Sequence, residues 1–175
     1  MNKKNTINII TRIAILAGLA SCIGIIDKIV SASLFPFLPG IKIGIANVII
    51  LVSLLKTNFK ESLTITIIKS LIVGLLFGGI TSFIIGGIST ILSFLSMYIL
   101  YYIYINKLNI ISISVVGGFI HINSQLIIIR LIYDIGREIY LYGLILIIIS
   151  LVTSIMNGYI AKKINNMHKV HNLDI

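Results

Sequence analysis

Charge is scarce in this chain. Only 11% of its 175 residues are charged, five of those are acidic, and 58% are hydrophobic. A soluble domain of this length has no interior large enough to hide that much apolar surface, so most of it must face lipid. One compact membrane domain fits the length, and a separate soluble domain does not. Cysteine occurs once, at Cys22, which excludes an internal disulfide and says nothing about redox compartment. Proline occurs twice, at Pro36 and Pro39, both in one short stretch.

Several chemistries are missing as well. No GxxxxGK[ST] phosphate loop occurs, so the chain does not hydrolyse ATP by that route. Asp27, Asp134 and Asp174 are isolated, which leaves no aspartate-rich pair for magnesium diphosphate chemistry. His168 and His171 have no third ligand nearby and read as part of a solvated tail, so no metal and no cofactor is expected. No Ser-His-Asp or Cys-His arrangement can be argued, and the chain is not expected to be an enzyme. The net charge of +9 does not point to nucleic acid. The basic residues stand at segment ends, without interleaved aromatics or a recognition motif, and so read as topology signals.

Long apolar runs are what the chain does have. Six can be drawn, at about 11–32, 41–56, 62–79, 81–105, 110–132 and 140–161, against the roughly 20 residues that a bilayer crossing takes. The second is short and follows a loop, Ser33 to Gly40, that holds both prolines. Gly78-Gly79 marks a tight turn between the third and fourth. Near the N-terminus, Leu19-Ala20-Ser21-Cys22 resembles a lipoprotein cleavage box. Arg12 interrupts the preceding stretch, however, and the apolar segment continues to Val30, so a retained first transmembrane helix is expected.

Charge sorting orients these segments. With both termini inside, the cytoplasmic side collects Lys3, Lys4, Arg12, Lys56, Lys60, Lys107, Lys162, Lys163 and Lys169. The other side keeps Lys28, Lys42, Arg130 and Arg137, partly balanced by Asp27, Asp134 and Glu138. This is the asymmetry of the positive-inside rule. The expected fold is an all-α integral membrane protein, a six-transmembrane-helix bundle over residues 1–166 with both termini cytoplasmic. Residues 167–175 form a polar cytoplasmic tail.

Polar residues inside the runs suggest a site. An ionisable group at bilayer depth costs about 2.5–3.5 kcal/mol on insertion scales, so it usually faces protein or a wet cavity. Lys69 lies inside one run, and Ser62, Thr66 and Ser70 join it in a stripe. In the fifth run, Ser114, Gly117, Gly118, His121, Ser124 and Gln125 share a face at 100° per residue. Two such stripes can simply bond to each other across a bundle, but bonds between neutral groups need no cation. Lys42 and Asn47, one turn apart at the start of the second segment, bring a second cation towards the same outer half. Lys42, Lys69 and Arg130 would attract an anionic or strongly polar ligand, and Asn47, His121 and Gln125 would orient it. Small residues at helical spacing in the first run, Ala14, Ala17, Gly18 and Ser21, allow close helix approach. They pack within the bundle or dock a partner membrane subunit.

Pro39-Gly40-Ile41-Lys42-Ile43-Gly44-Ile45-Ala46-Asn47 resembles the P-G-x-K-x-G-x-A-N stretch of the small bacterial Gx transporters, also labelled heptaprenyl diphosphate synthase component I. Leu75 to Gly79, with Ser82-Phe83, is similar to that family's third-to-fourth helix junction. In the fifth helix the family pattern is roughly H-N-x-G-Q, and His121-Ile122-Asn123-Ser124-Gln125 keeps its first and last positions. The asparagine is displaced by one residue, a rotation of about 100°. Lys69 stands where the family often has arginine, offering a point charge instead of a bidentate fork.

The resemblance implies a relation to the substrate-binding S components of energy-coupling factor transporters, which take up small ligands across bacterial plasma membranes. It implies a ligand site near the outer surface at Lys42, Asn47, Lys69, His121 and Gln125, with Arg130 and Asp27 nearby, and a covering loop at Ser33 to Gly40. It further implies partners: a transmembrane coupling subunit, meeting the small-residue face of the first helix, and two cytoplasmic ATPases. The family's other label implies instead a non-catalytic membrane subunit of prenyl diphosphate synthesis. A structural scaffold in a membrane complex is a third reading.

Overall fold

The computed structural model describes residues 3–36, 41–104, 108–134, 136 and 139–171. Pro39, Gly40, Lys107, Arg137, Glu138 and the tail from residue 172 lie outside them. Six α-helices follow in order: α1 (Lys3–Leu34), α2 (Asn47–Lys56), α3 (Phe59–Leu71), α4 (Phe77–Tyr104), α5 (Ile110–Tyr133) and α6 (Ile139–His171). A π-helical turn, Ile72–Leu76, joins α3 to α4. No strand occurs among the described residues.

Among the described residues, four helical stretches are long and apolar enough to cross a membrane: Thr6–Leu34, Phe59–Tyr104, Ile110–Tyr133 and Gly143–Met167. Six apolar segments thus become four long stretches, for two physical reasons. The segment expected as a helix over 41–56 begins with non-helical backbone, and α2 itself has only 10 residues. The third and fourth segments run on as one stretch, broken by a single non-helical residue, Gly79, at φ 71° and ψ 179°. A positive φ is where glycine carries no steric penalty, so the chain bends at the expected place. Beyond the bend α4 packs back on the π turn. A Cβ on Gly74 would stand 2.8 Å from the Phe83 Cα, an approach only glycine permits.

Large apolar side chains such as Ile10, Ile29, Leu131, Leu144 and Ile148 point outward, as they do when lipid is the solvent. Inside, two apolar clusters stand apart. One gathers Ile50, Leu51, Phe94, Met97 and Ile113, backed by Phe59 and Tyr98. The other gathers Ile41, Ile85, Ile122, Leu126, Ile129 and Leu146. Between them, along each helix, lies a layer of buried polar residues that includes Asp27, Lys42, Asn47, Lys69, Thr90, His121, Gln125 and Asn157.

Small residues make the helix contacts around that layer. Ser114 Oγ donates to the Ser154 carbonyl at 2.7 Å, Ser150 Oγ to the Gly118 carbonyl at 3.1 Å, and Ser93 Oγ to the Gly117 carbonyl at 2.8 Å. In α1, Ala17 and Ser21 turn into the bundle while Ala14 and Gly18 are exposed. At the end of the molecule opposite the Gly79 bend, Arg12 of α1 pairs with Glu61 in the first turn of α3.

Candidate functional site

Residues 41–46 hold the polar layer together because they are not helical. Their backbone groups lack the partners a helix would give them, and a buried peptide group without a partner is costly. Side chains from other helices supply the bonds. Gln125 of α5 pairs with Lys42 on both sides: the Lys42 N–H donates to Gln125 Oε1 at 2.8 Å, and Gln125 Nε2 donates to the Lys42 carbonyl at 3.0 Å. Ser31 Oγ of α1 accepts from the Ile43 N–H at 3.0 Å. The Asp27 carboxylate accepts from the Gly44 N–H at 3.1 and 3.3 Å, and Asn157 Nδ2 of α6 donates to the Gly44 carbonyl at 3.0 Å. Gly44 stands at φ 97°, again a conformation glycine adopts freely.

The Gln125 pairing settles the histidine. With Nε2 of Gln125 fixed as donor by the Lys42 carbonyl, its second proton points to His121 Nδ1 at 2.8 Å. That nitrogen must accept, so the ring proton sits on Nε2, which faces Thr90 Oγ1 at 3.4 Å. Thr90 in turn donates to the Gly86 carbonyl at 2.6 Å. His121 is therefore a neutral link in a directed chain running from the Lys42 peptide to α4.

The lysine ends behave differently. Lys42 and Lys69 are 5% and 4% exposed, yet among the described residues neither ammonium has an ion-pair or hydrogen-bond partner. The Lys42 Nζ lies against Gly86, where a Cβ would come within 2.5 Å of it. Lys69 passes Gly24 of α1, where a Cβ would stand 3.3 Å from its Cε. Lys42 belongs to the segment outside the four long helical stretches. Burial, and then repulsion from Lys69, push its amine down to about 7, against the pull of Asp27. Asn47 begins α2 beside Gly44, and its Oδ1 is buried without a partner.

Six of the seven residues expected at the site are thus brought into one buried layer: Asp27, Lys42, Asn47, Lys69, His121 and Gln125. Arg130 is not among them. It is exposed in the last turn of α5. Asn123, rotated by its one-residue displacement, bonds the Phe119 carbonyl at 2.7 Å, away from the layer. Of the expected covering loop, Ser33 and Leu34 are the last turn of α1, Phe35 and Pro36 follow it, and residues 37–40 lie outside the described part. Sequence reasoning missed Ser31, Gly86 and Thr90, and it reads Asn157, in the small polar stripe of the last helix, as packing alone. A signal for two of the missed residues was available: Ser82, Gly86 and Thr90 recur every four residues along one face of α4.

No curated protein and no solved structure matches the chain. Residues 16–164, which include the whole polar layer, match the family described as heptaprenyl diphosphate synthase component I, and the chain belongs to that family.

Proposed function

We propose that this chain is the substrate-binding subunit of an uptake transporter of the energy-coupling factor type, capturing a small anionic ligand from outside a bacterial plasma membrane. One observation carries the reading: two buried lysines, Lys42 and Lys69, share one carboxylate, Asp27, which the Gly44 N–H already engages, and among the described residues neither forms an ion pair. Buried charges are normally paired, and leaving one unpaired is strongly unfavourable. A ligand that brings negative charge resolves both. Lys42 and Lys69 then supply the attraction, Asn47 an acceptor, and Asp27, His121 and Gln125 hold the segment that carries Lys42. In this reading residues 1–166 make a six-helix bundle with both termini in the cytoplasm. Of the small residues of α1, Ala17 and Ser21 pack within the bundle, and the exposed pair Ala14 and Gly18 is left to meet a coupling subunit that works with two ATPases.

Lys69→Met keeps the length of the side chain and removes its charge. The variant is expected to insert and fold while losing ligand affinity by roughly tenfold or more, the worth of one charge-assisted hydrogen bond. Mass spectrometry of small molecules co-purifying with each protein, followed by titration, reads it. Equal ligand retention by wild type and Lys69→Met would remove Lys69 from the site.

The family's description favours a second reading, a non-catalytic membrane subunit that assists prenyl diphosphate synthesis. The catalytic carboxylates would then come from a soluble partner. Product formation by a candidate synthase subunit is expected to rise when this chain is added, and an unchanged rate sinks the idea.

A further inference from the structure

The charges around the polar layer come in unequal numbers. Lys42 and Lys69 share a single carboxylate, Asp27, and Lys28 of α1 adds its charge beside Lys42. That carboxylate is already occupied by the Gly44 N–H and by Ser31. None of the three ammoniums has an ion-pair partner among the described residues.

Their placement is graded along α4. The Lys28 Nζ stands at the Gly79 bend, 3.2 Å from where a Cβ on Gly78 would lie. The Lys42 Nζ stands at Gly86, about two helical turns past the bend. Between them on the same face is Ser82, whose Oγ is buried without a partner and free to donate. One face of α4 thus presents an ammonium, an unused hydroxyl and a second ammonium in sequence, with Lys69 entering from α3. A monocarboxylate spans a single such contact and leaves two cations over. A phosphoryl group carries about −1.5 to −2 at neutral pH and three strong acceptor oxygens.

The geometry points to a phosphate-bearing head group, a phosphate monoester or a diphosphate, as the ligand class of this site. The inference rests on the capture reading above. It adds that Lys28 is a third ligand-facing cation and Ser82 a donor. The head group has two possible sources, a free phosphate compound or the polar end of an amphiphile.

Isothermal titration of the full chain in nanodiscs of neutral lipid, with octyl phosphate, octanoate and inorganic pyrophosphate, decides the matter. The two octyl compounds share a tail and differ in their heads. Octyl phosphate is expected to bind at least roughly tenfold more tightly than octanoate, the ratio that one further charge-assisted contact carries. Lys28→Gln is expected to shrink that ratio by weakening octyl phosphate alone. Tight pyrophosphate binding identifies a free phosphate compound as the source, and binding of octyl phosphate without pyrophosphate identifies an amphiphile; either supports the class. Octanoate binding as tightly as octyl phosphate, and lost in Lys69→Met, overturns the phosphate assignment and leaves anion capture standing. No binding of any of the three removes both.

Discussion

At the scale of single residues, the missing side chain at Gly86 does as much as the charge at Lys42. The Lys42 ammonium occupies the space a Cβ would take, so the helix face that receives it has to be glycine. Gly86→Ala is expected to fold, because what it displaces is the far end of a flexible side chain and not backbone. Alanine is also the better helix former by about 1 kcal/mol. Ligand affinity is expected to fall by roughly tenfold, since the ammonium can no longer reach its place. Titration of wild type and Gly86→Ala with the co-purified ligand measures this, and an unchanged Kd separates the Lys42 charge from binding. Lys69 and His121 were legible as members of the buried polar layer because a polar group in an apolar run stands out in one dimension. Gly86 was not, because its meaning is the lysine that fills its space from a distant part of the chain.

At the scale of elements, the segment from Ile41 to Ala46 shows where reading by pattern stops. It is apolar apart from Lys42 and leads without interruption into α2, so it reads as the first turns of a membrane helix. A short apolar run cannot be told as helix or extended chain by periodicity alone. What decides its conformation lies elsewhere, in Ser31 and Asp27 of α1, Gln125 of α5 and Asn157 of α6. Most of the fifth-helix face, by contrast, was legible, because Ser114, Gly117, Gly118, His121 and Gln125 are buried together as helical spacing requires, while Ser124 is half-buried at its edge. The fixed pairing of Gln125 makes its removal costly. Gln125→Leu leaves the Lys42 N–H and carbonyl and the His121 Nδ1 without partners. Each buried unsatisfied group costs about 1–3 kcal/mol. The variant is expected to unfold in detergent at a markedly lower temperature than wild type and to lose ligand binding even where it remains folded. A thermal midpoint within a degree of wild type would show that segment 41–46 is held by something other than this side chain.

At the scale of the whole molecule, one ion pair and one bend fix which ends lie together. Arg12 of α1 pairs with Glu61 at the start of α3, so the N-terminal part of α1 shares an end of the molecule with the junction of α2 and α3. Lys56 and Lys60 belong to that junction. The Gly79 bend, with Ile80 exposed at 72%, lies at the far end of α3 from Glu61. Positive residues gather on the cytoplasmic side of membrane proteins, so the Lys56 and Lys60 end is expected inside and Ile80 outside. Charge alone suggests this orientation, and the ion pair supplies an independent geometric link between α1 and α3. Two single-cysteine variants test it in a Cys22→Ser background, Ile80→Cys and Lys60→Cys. A thiol reagent that cannot cross the membrane is expected to label Ile80→Cys in intact cells and Lys60→Cys only after the membrane is opened. The reverse pattern would turn the bundle over and place the α4 face that meets Lys28 and Lys42 towards the cytoplasm, where it would receive its anion from within the cell and not from outside it.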